Sequence, residues 1–309
     1  MRIARVQHEG TVRTATVAGD AVRILPKSVE VTDLLAADAE GRARLEASAE
    51  TEQTLLDTQL LAPIQPTTIR DFTVFERHVE GAGMNFNPEA TVPDVWYESP
   101  FCYFSNTNVI TGPGDEIAVP PGCVDLDLEL EVAAVIGRSG TNLAPGEAGD
   151  YIAGYTIYND WSARDLIKFE IRLGLGLCKG KDFSNTFGPW IVTADELEPY
   201  RSGDRLELGM RATINGEELG KDTLTSMAWS FEELVSYASR GSWVRPGDVL
   251  GTGTCADGCL FEFWGRNGRD SRPALAPGDT VTLEVEGIGE LTNTIVAGVD
   301  PIELPRARV

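Results

Sequence analysis

Acidic and apolar residues alternate along the segment 125–137, whose sequence is DLDLELEVAAVIG. Strict alternation predicts a strand with Asp127, Glu129 and Glu131 on one face, because successive side chains of a strand point to opposite sides. Side chains at i and i+2 lie about 6.6 Å apart, so two of these carboxylates can converge on one cation. The pattern alone also fits a half-buried strand with a solvated charged face, although like charges on one face repel each other unless a positive charge lies against them.

A second acidic cluster lies in the segment YNDWSARD at 158–165. We expect Asp160 to end an apolar strand that begins near Ile152, at a strand end where functional side chains are often presented. Arg164 is predicted to lie one turn along the helix that follows. An ordinary capped helix start is the alternative interpretation of this segment.

The segment 174–183 is rich in glycine and contains lysines. It is not a Walker A loop, because Leu175 and Asp182 stand where that loop requires a glycine and a hydroxyl residue. Its glycines are explained by turns alone. A lysine in a tight loop of an acidic protein is nevertheless a candidate electrophilic group, and Lys181 is the residue we select.

Histidine occurs at two positions, His8 and His78. An imidazole is the usual general base near neutral pH, and His78 is the one histidine after residue 65, so it is the candidate base. A lone histidine with a purely structural role is the alternative. With two histidines, a histidine-rich transition-metal site is excluded.

The chain is predicted to contain two parts. Residues 1–65 are expected to form a small domain with strands near 2–7, 11–17 and 21–25, followed by helix within 31–60. The two-proline segment APIQP at 62–66 interrupts regular structure and marks the boundary.

Residues 66–309 are expected to be mainly β. Turns are predicted at the three Pro-Gly-Asp sequences (113–115, 246–248 and 277–279) and a hairpin at Asn215-Gly216. One helix is well marked by the capping box of Ser230 and Glu233 and by Gly241 after its end.

Composition limits the partners of this protein. Of its 309 residues, 48 are acidic and 26 are basic, which gives a formal net charge of −22. So acidic a surface repels nucleic-acid phosphates and anionic lipids, so neither is an expected partner. The five cysteines lack paired CxxC spacing, which favours reduced, mostly buried thiols over disulfides or a thiolate zinc site. No leader or long apolar run is apparent in the sequence, so a cytoplasmic location is expected.

Taken together, these segments resemble the fumarylacetoacetate hydrolase family over residues 67–298. The matching motifs follow in family order: Asp71-x6-His78, Glu129-x-Glu131 with VAAVIG, NDWSARD at 159–165, GKDF at 180–183, GPW at 188–190, and GTGT at 251–254 with LFEF at 260–263. The resemblance implies a mainly β chain with some α, built as a mixed β-sandwich roll of the family's C-terminal type with a small N-terminal α+β domain.

The resemblance also implies a divalent cation held by Glu129, Glu131 and Asp160, with Asp71 as a fourth acidic ligand. Oxygen ligands favour magnesium, with calcium or manganese as alternatives, and no organic cofactor is expected. A homodimer is implied as well.

In the same way, the resemblance assigns roles near the substrate. His78 with Glu262 corresponds to a pair that activates water. Lys181 and Arg164 correspond to positive groups near the substrate carbonyl, and Thr254 corresponds to a threonine that contacts the substrate. One departure is Ile167, which replaces a glutamine that many members carry after Ser-Ala-Arg; losing such a donor costs on the order of 10²-fold in rate if it stabilises the transition state.

The leading hypothesis is therefore hydrolytic C–C cleavage of a small β-diketo acid or acylpyruvate-like substrate. Isomerisation (tautomerisation) or decarboxylation of a 2-oxo acid at the same metal site is the second hypothesis. A third is a non-catalytic, acidic calcium-binding β protein, in which His78, Glu262 and Lys181 have no role.

Overall fold

The protein is mainly β, with 35% of its residues in strands and 25% in helices, as expected. The computed structural model describes residues 1–174 and 176–308, so Leu175 of the glycine-rich segment lies outside the described residues. Within these residues, no helix is both long enough and apolar enough to span a membrane.

The strands, in chain order, are β1 (Arg2–His8), β2 (Thr11–Ala18), β3 (Ala21–Ile24), β4 (Thr51–Thr54), β5 (Gln59–Leu61), β6 (Ile69–Phe72), β7 (Cys102–Ser105), β8 (Ile110–Thr111), β9 (Glu116–Ala118), β10 (Leu126–Asp127), β11 (Leu130–Ile136), β12 (Ile152–Asp160), β13 (Ser162–Ala163), β14 (Asn185–Thr193), β15 (Arg201–Ser202), β16 (Arg205–Leu206), β17 (Gly209–Ile214), β18 (Glu217–Thr223), β19 (Val249–Gly251), β20 (Thr280–Val285) and β21 (Gly289–Val296). The α-helices are α1 (Val31–Ala36), α2 (Ala39–Ala47), α3 (Glu76–Gly83), α4 (Pro145–Ala148), α5 (Arg164–Glu170), α6 (Phe231–Ser239) and α7 (Leu260–Asn267).

Two mixed sheets form the body of the fold. The larger has the strand order β4-β3-β2-β1-β14-β12-β11-β19-β6-β7, and the smaller has the order β18-β17-β20-β21-β9. One hydrophobic cluster joins Val132 and Ile157 of the larger sheet to Ala212 and Leu283 of the smaller. The two sheets therefore enclose a common core, which confirms the mixed sandwich.

Local turn signals specify the strand ends as predicted. Each Pro-Gly-Asp turn is followed directly by a strand, namely β9, β19 and β20. Asn215 and Gly216 both have positive φ, at 54° and 79°, as a tight hairpin turn between β17 and β18 requires. Ser230 and Glu233 form the predicted capping box of α6.

Several local predictions are wrong. The acidic segment is not one strand, because β10 and β11 are separated at residues 128 and 129, and all of 126–136 is buried instead of half-solvated. The predicted helical stretch 31–60 ends at Ala47, and β4 and β5 follow it. Arg164 is the first residue of α5, and not a residue one turn inside it.

The cysteines also differ from expectation. All five are free thiols, but just two, Cys255 and Cys259, are buried, while Cys178 is exposed.

Strands of residues 1–65 continue the larger sheet. β1 pairs with β14, with Ile3 opposite Ile191. Ile3 and Leu34 share a buried cluster with Val135 and Val249 of the later part of the chain. The predicted domain boundary at 62–66 stays a prediction, but the shared sheet and cluster join the two sides of it.

We therefore expect the two parts to unfold together. Ile3→Ala removes a fully buried side chain, which costs about 2–5 kcal/mol, and should lower the midpoint of a single thermal transition followed by circular dichroism. Val12→Ala, at a side chain 49% exposed in β2, serves as the control and should leave the midpoint nearly unchanged. Two transitions, of which one shifts alone, would contradict the expectation.

Candidate functional site

Three carboxylates from three strands of the larger sheet meet below its surface. Asp71 lies in β6, Glu131 in β11, and Asp160 ends β12. One oxygen from each lies within 4.8 Å of the others. The backbone N–H of Gly253 donates to Asp71 Oδ1 at 3.1 Å and to Glu131 Oε2 at 3.0 Å, which fixes these two oxygens side by side. We call Asp71, Glu131 and Asp160 the carboxylate triad.

A glycine provides the space that the carboxylate triad occupies. Gly251 of β19 lies between β11 and β6, opposite Ala133 on one side and Asp71 on the other. A Cβ at this position would lie 2.3 Å from Asp71 Oδ1 and 2.9 Å from Glu131 Oε2. Because neither distance is a possible contact, any side chain at residue 251 would displace the carboxylates.

Glu129, the predicted ligand that precedes Glu131, lies beside the triad and is bound by two cations. Its Oε1 accepts a hydrogen bond from Arg164 Nη2 at 2.6 Å, and its Oε2 accepts one from Lys181 Nζ. Lys181 Nζ also donates to Asp160 Oδ2 at 2.5 Å. Lys181 therefore bridges Glu129 to the triad, so the predicted metal and electrophilic residues occupy one continuous polar cluster.

Asp127 has a different task from the other acidic residues of its segment. Its carboxylate accepts the backbone N–H groups of Leu260 and Phe261 at 2.7 and 2.9 Å, at the start of α7. It also accepts from Arg164 Nε at 2.8 Å. Asp127 thus orients both Arg164 and the helix that contains Glu262.

The cluster contains more negative than positive charge. Five carboxylates (Asp71, Asp127, Glu129, Glu131 and Asp160) are at most 5% exposed, and the two cations in contact with them, Arg164 and Lys181, are 6% and 4% exposed. Removing like charges from water is costly unless a counter-charge accompanies them. The imbalance therefore favours a further cation.

The pKa shifts show this imbalance at two residues of the triad. Burial and the charge of Asp160 raise the pKa of Asp71, and burial together with Asp71 raises the pKa of Glu131. At Glu129 the effect of burial is outweighed by Arg164 and Lys181, which lower its pKa. Asp71 and Glu131 therefore lack the compensating positive charge that Glu129 has.

The triad fits a divalent cation on two further observations. Glu131 Oε1 and Asp160 Oδ1 are buried without a hydrogen-bond partner among the described residues. Unpaired buried carboxylate oxygens are costly, and a cation satisfies them. Since every donor in the triad is a carboxylate oxygen, the set suits magnesium, calcium or manganese.

Tyr103 is a site residue that the sequence did not reveal. It lies in β7 opposite Asp71, and its hydroxyl donates to Asp160 Oδ2. Tyr158, opposite Glu131 on β12, donates to Asn185 Oδ1 at 2.6 Å. Tyr103 belongs to no recognised motif, and its participation follows from strand register alone.

His78 and Glu262 are brought together by two closely packed helices. His78 Nδ1 lies 3.3 Å from Glu262 Oε2. A Cβ on Gly265 of α7 would lie 2.0 Å from the carbonyl oxygen of Gly81 in α3, so the two glycines permit this approach. The sequence prediction that His78 and Glu262 act as a pair is thus compatible with their positions, which are 184 residues apart in the chain.

Glu262 is held as a charged acceptor. Its Oε2 also accepts the backbone N–H of Asp257 at 2.8 Å, and its Oε1 accepts from Arg266 Nη2 at 2.9 Å. Against the effect of burial, the hydrogen bond with His78 and the charge of Arg266 keep the pKa of Glu262 below its usual value. An ionised Glu262 is suited to orient the His78 ring.

A cavity of about 330 Å³ lies next to His78. Its lining is mostly apolar: Thr73, His78, Val79, Ala82, Pro93, Val95, Trp96 and Phe101. Trp96 is anchored by a hydrogen bond from its indole N–H to the carbonyl oxygen of Thr73 at 2.7 Å. An apolar part of a bound molecule can therefore occupy the cavity next to His78.

Two further predicted residues lie elsewhere in the site region. Thr254 is 3% exposed, in the loop that follows β19. Ile167 of α5 packs against Gly180, where a Cβ would lie 2.3 Å from Ile167 Cγ1, so it covers the backbone next to Lys181. The predicted substrate contact of Thr254 stays a prediction.

The chain is similar in sequence and in fold to known proteins. A family model described as fumarylacetoacetate (FAA) hydrolase C-terminal matches residues 67–296. A fumarylacetoacetase from Oryza sativa subsp. japonica is 28% identical over 281 residues, covering 74% of this chain and 65% of that protein. The chain thus spans slightly less than two thirds of the length of this relative.

Solved structures match nearly the whole chain. 5-Carboxymethyl-2-hydroxymuconate delta-isomerase from Mycobacterium smegmatis has a TM-score of 0.71 at 25% identity, covering 96% of this chain and 100% of that one. Maleylpyruvate hydrolase from Sphingobium sp. SYK-6, solved with manganese(II) and pyruvate, has a TM-score of 0.71 at 21% identity, covering 97% and 100%. The second likeness concerns the fold alone.

Adding magnesium or manganese to the metal-free protein should raise its melting temperature, because the cation relieves repulsion in the triad. At about 100 times its Kd, a ligand stabilises the folded state by about 2.7 kcal/mol. Glu131→Gln should lose this rise while melting no lower than the metal-free wild type, since it removes one buried charge. Glu290→Gln, an exposed carboxylate in β21, is the control that should retain the rise. An undiminished rise in Glu131→Gln would contradict the assignment.

Gly251→Ala should abolish the cation-induced rise in melting temperature, because the new Cβ would occupy the space of two triad oxygens. Gly146→Ala is the matched control, since a Cβ there meets nothing within 4 Å. Differential scanning calorimetry with and without manganese measures both variants. Normal stabilisation of Gly251→Ala by manganese would show that the cation binds elsewhere.

Proposed function

We propose, since this chain belongs to the fumarylacetoacetate hydrolase family, that it is a metal-dependent hydrolase that cleaves a C–C bond in a β-diketo acid or acylpyruvate-like substrate. The observation on which this depends is His78, whose Nδ1 lies 3.3 Å from Glu262 Oε2 while its side chain lines an apolar cavity. A histidine oriented by a buried carboxylate is the usual arrangement of a general base.

Asp71, Glu131 and Asp160 would hold the divalent cation, with Glu129 adjacent. When bound, such a cation supplies Lewis-acid polarisation of a substrate carbonyl. Magnesium, calcium and manganese all suit these carboxylate ligands. Lys181, which bridges Glu129 and Asp160, holds two of these carboxylates in place beforehand.

The proposed base acts through one ring nitrogen. Glu262 accepts the Nδ1–H of His78, and this leaves Nε2 with a free electron pair. Nε2 takes a proton from water, and the water oxygen forms a bond with the substrate carbonyl carbon. The C–C bond then breaks, its electron pair passes to the neighbouring carbon, and that carbon is protonated, so that the products are two carboxylic acids.

Positive charge near the reacting carbonyl stabilises the oxygen as it becomes negative. Lys181 and Arg164 supply this charge in our proposal. Arg164 has its Nε and Nη2 bonded to Asp127 and Glu129, so Nη1 is the nitrogen left to contact substrate. Its guanidinium lies 4.8 Å from the centre of the Phe261 ring, which further fixes its plane.

The cavity beside His78 supports an apolar acyl substituent. Among its lining residues, all within the described part of the chain, there is no lysine or arginine to bind a second carboxylate. Val79, Val95, Trp96 and Phe101 instead offer aliphatic and aromatic contacts. Ile167, which packs against the segment before Lys181, is likewise apolar where the family's glutamine would donate a hydrogen bond.

Isomerisation is the second candidate, because the delta-isomerase from Mycobacterium smegmatis matches 96% of the chain at 25% identity. The products separate the two reactions. Hydrolysis yields two acids and consumes water, whereas an isomerase yields one product of unchanged mass. Release of carbon dioxide would indicate a decarboxylase.

The test is a panel of acylpyruvates of increasing chain length, a fumarylacetoacetate-like diketone and oxaloacetate, with loss of enol absorbance as the signal. His78→Gln should lower kcat by about 10²–10⁴-fold, the usual contribution of a general base. It should retain the cation-induced rise in melting temperature, since His78 is not a triad residue. His8→Gln, which changes the other histidine, is the matched control and should retain full activity.

Turnover that is unaffected by His78→Gln would rule out the proposed base. Activity that survives exhaustive chelation would rule out the role of the cation. A calcium-binding protein without catalytic function would show a rise in melting temperature with cation and no turnover of any compound.

A further inference from the structure

A thiol lies against the His78–Glu262 pair on the side away from solvent. Cys259 Sγ is 3.8 Å from His78 Nδ1, and its side chain is fully buried. Cys259 is the N-cap of α7 and accepts the backbone N–H of Glu262 at 3.4 Å, so the first turn of this helix presents Cys259 and Glu262 in the same direction. One ligand atom from each of His78, Cys259 and Glu262 lies within 4.8 Å of the others. We call these three residues the thiol cluster.

The spacing of the thiol cluster matches a tetrahedral zinc ion. Bond lengths of about 2.3 Å to sulfur and about 2.0–2.2 Å to nitrogen and oxygen place sulfur and nitrogen about 3.6 Å apart, and nitrogen and oxygen about 3.4 Å apart. The corresponding distances are 3.8 Å between Cys259 Sγ and His78 Nδ1 and 3.3 Å between His78 Nδ1 and Glu262 Oε2. An ion of this size is therefore accommodated by small side-chain movements.

The donors and charges of the thiol cluster also differ from those of the carboxylate triad. Sulfur and imidazole nitrogen select zinc and similar thiophilic cations, whereas the all-oxygen triad selects harder ions. A thiolate and a carboxylate together balance the charge of a divalent cation. Glu262 Oε1 is occupied by Arg266, whereas Oε2 faces His78 and also accepts the backbone N–H of Asp257. The side chain of His78 is 12% exposed and lines the cavity, which provides an entry path.

We propose that the thiol cluster is a second, inhibitory metal site, which binds zinc or another thiophilic divalent cation through His78 Nδ1, Cys259 Sγ and Glu262 Oε2. On binding, zinc–sulfur, zinc–nitrogen and zinc–oxygen bonds form, and the thiol proton passes to solvent. The ring proton of His78 moves from Nδ1 to Nε2. The inhibitory effect rests on the proposed function of His78, whereas binding of the ion does not.

The effect on catalysis follows from the tautomer. With its proton on Nε2, His78 has no electron pair left to accept a proton from water. The ion binds Nδ1, which is not the nitrogen that takes the proton from water in the proposed function. Zinc should therefore lower kcat at least tenfold while KM changes little.

Cobalt(II) is the probe for the site, because thiolate coordination to cobalt gives a charge-transfer absorption in the near ultraviolet. The full chain is titrated with cobalt in excess magnesium, which occupies the carboxylate triad. We expect one thiolate-bound cobalt per chain, displaced by zinc. Cys259→Ser should lose the band yet keep its fold, since serine also caps a helix. Cys178→Ser, at the exposed thiol, is the matched control and should retain the band.

A band that is absent from the wild type, or that persists in Cys259→Ser, overturns the proposal. Should Cys259→Ser fail to fold, His78→Gln provides the second variant, because it leaves the thiol in place and removes the nitrogen ligand. Zinc inhibition that persists in an active Cys259→Ser also overturns the proposal. A cobalt band without any turnover of diketo acids would leave the metal site standing and would refute the hydrolase.

Discussion

The excess of buried negative charge around Glu131 is the constraint on which the rest of the site depends. Five carboxylates lie at most 5% exposed, and among residues 1–174 and 176–308 the buried cations in contact with them are Arg164 and Lys181. The structure distributes this charge unevenly, because both cations bind Glu129 whereas Asp71 and Glu131 are supported by a backbone N–H. A site that lacks positive charge at one defined point is prepared for a divalent cation.

Close backbone approach makes this arrangement sterically feasible. Gly251 leaves the volume that two triad oxygens occupy, and Gly81 with Gly265 lets α3 and α7 approach until His78 reaches Glu262. Asp127 connects the buried carboxylates to the His78–Glu262 pair, since it binds both Arg164 and the N-terminus of α7. A change at any of these three glycines alters the geometry of charged groups without removing one of them.

The family includes both hydrolases and isomerases, so the fold and the carboxylates do not decide the reaction. The proposed difference lies in His78 and its surroundings. The same histidine has a thiol within 3.8 Å, which a general base does not need. In our proposal the thiol cluster binds thiophilic ions such as zinc, whereas the carboxylate triad binds harder ions such as magnesium.

The sequence by itself determined the local features: the three Pro-Gly-Asp turns, the Asn215-Gly216 hairpin, the Ser230 cap, and the motifs that contain Glu131, Asp160 and His78. These depend on backbone preferences and short-range spacing, which neighbouring residues specify. Strand register and helix packing alone decided that Glu129 is bound by two cations beside the triad, that Tyr103 reaches Asp160, and that Cys259 lies against His78. Contacts between residues 181 or more positions apart, such as those of Cys259 and Glu262 with His78, arise when sheet and helices assemble, and no local pattern encodes them.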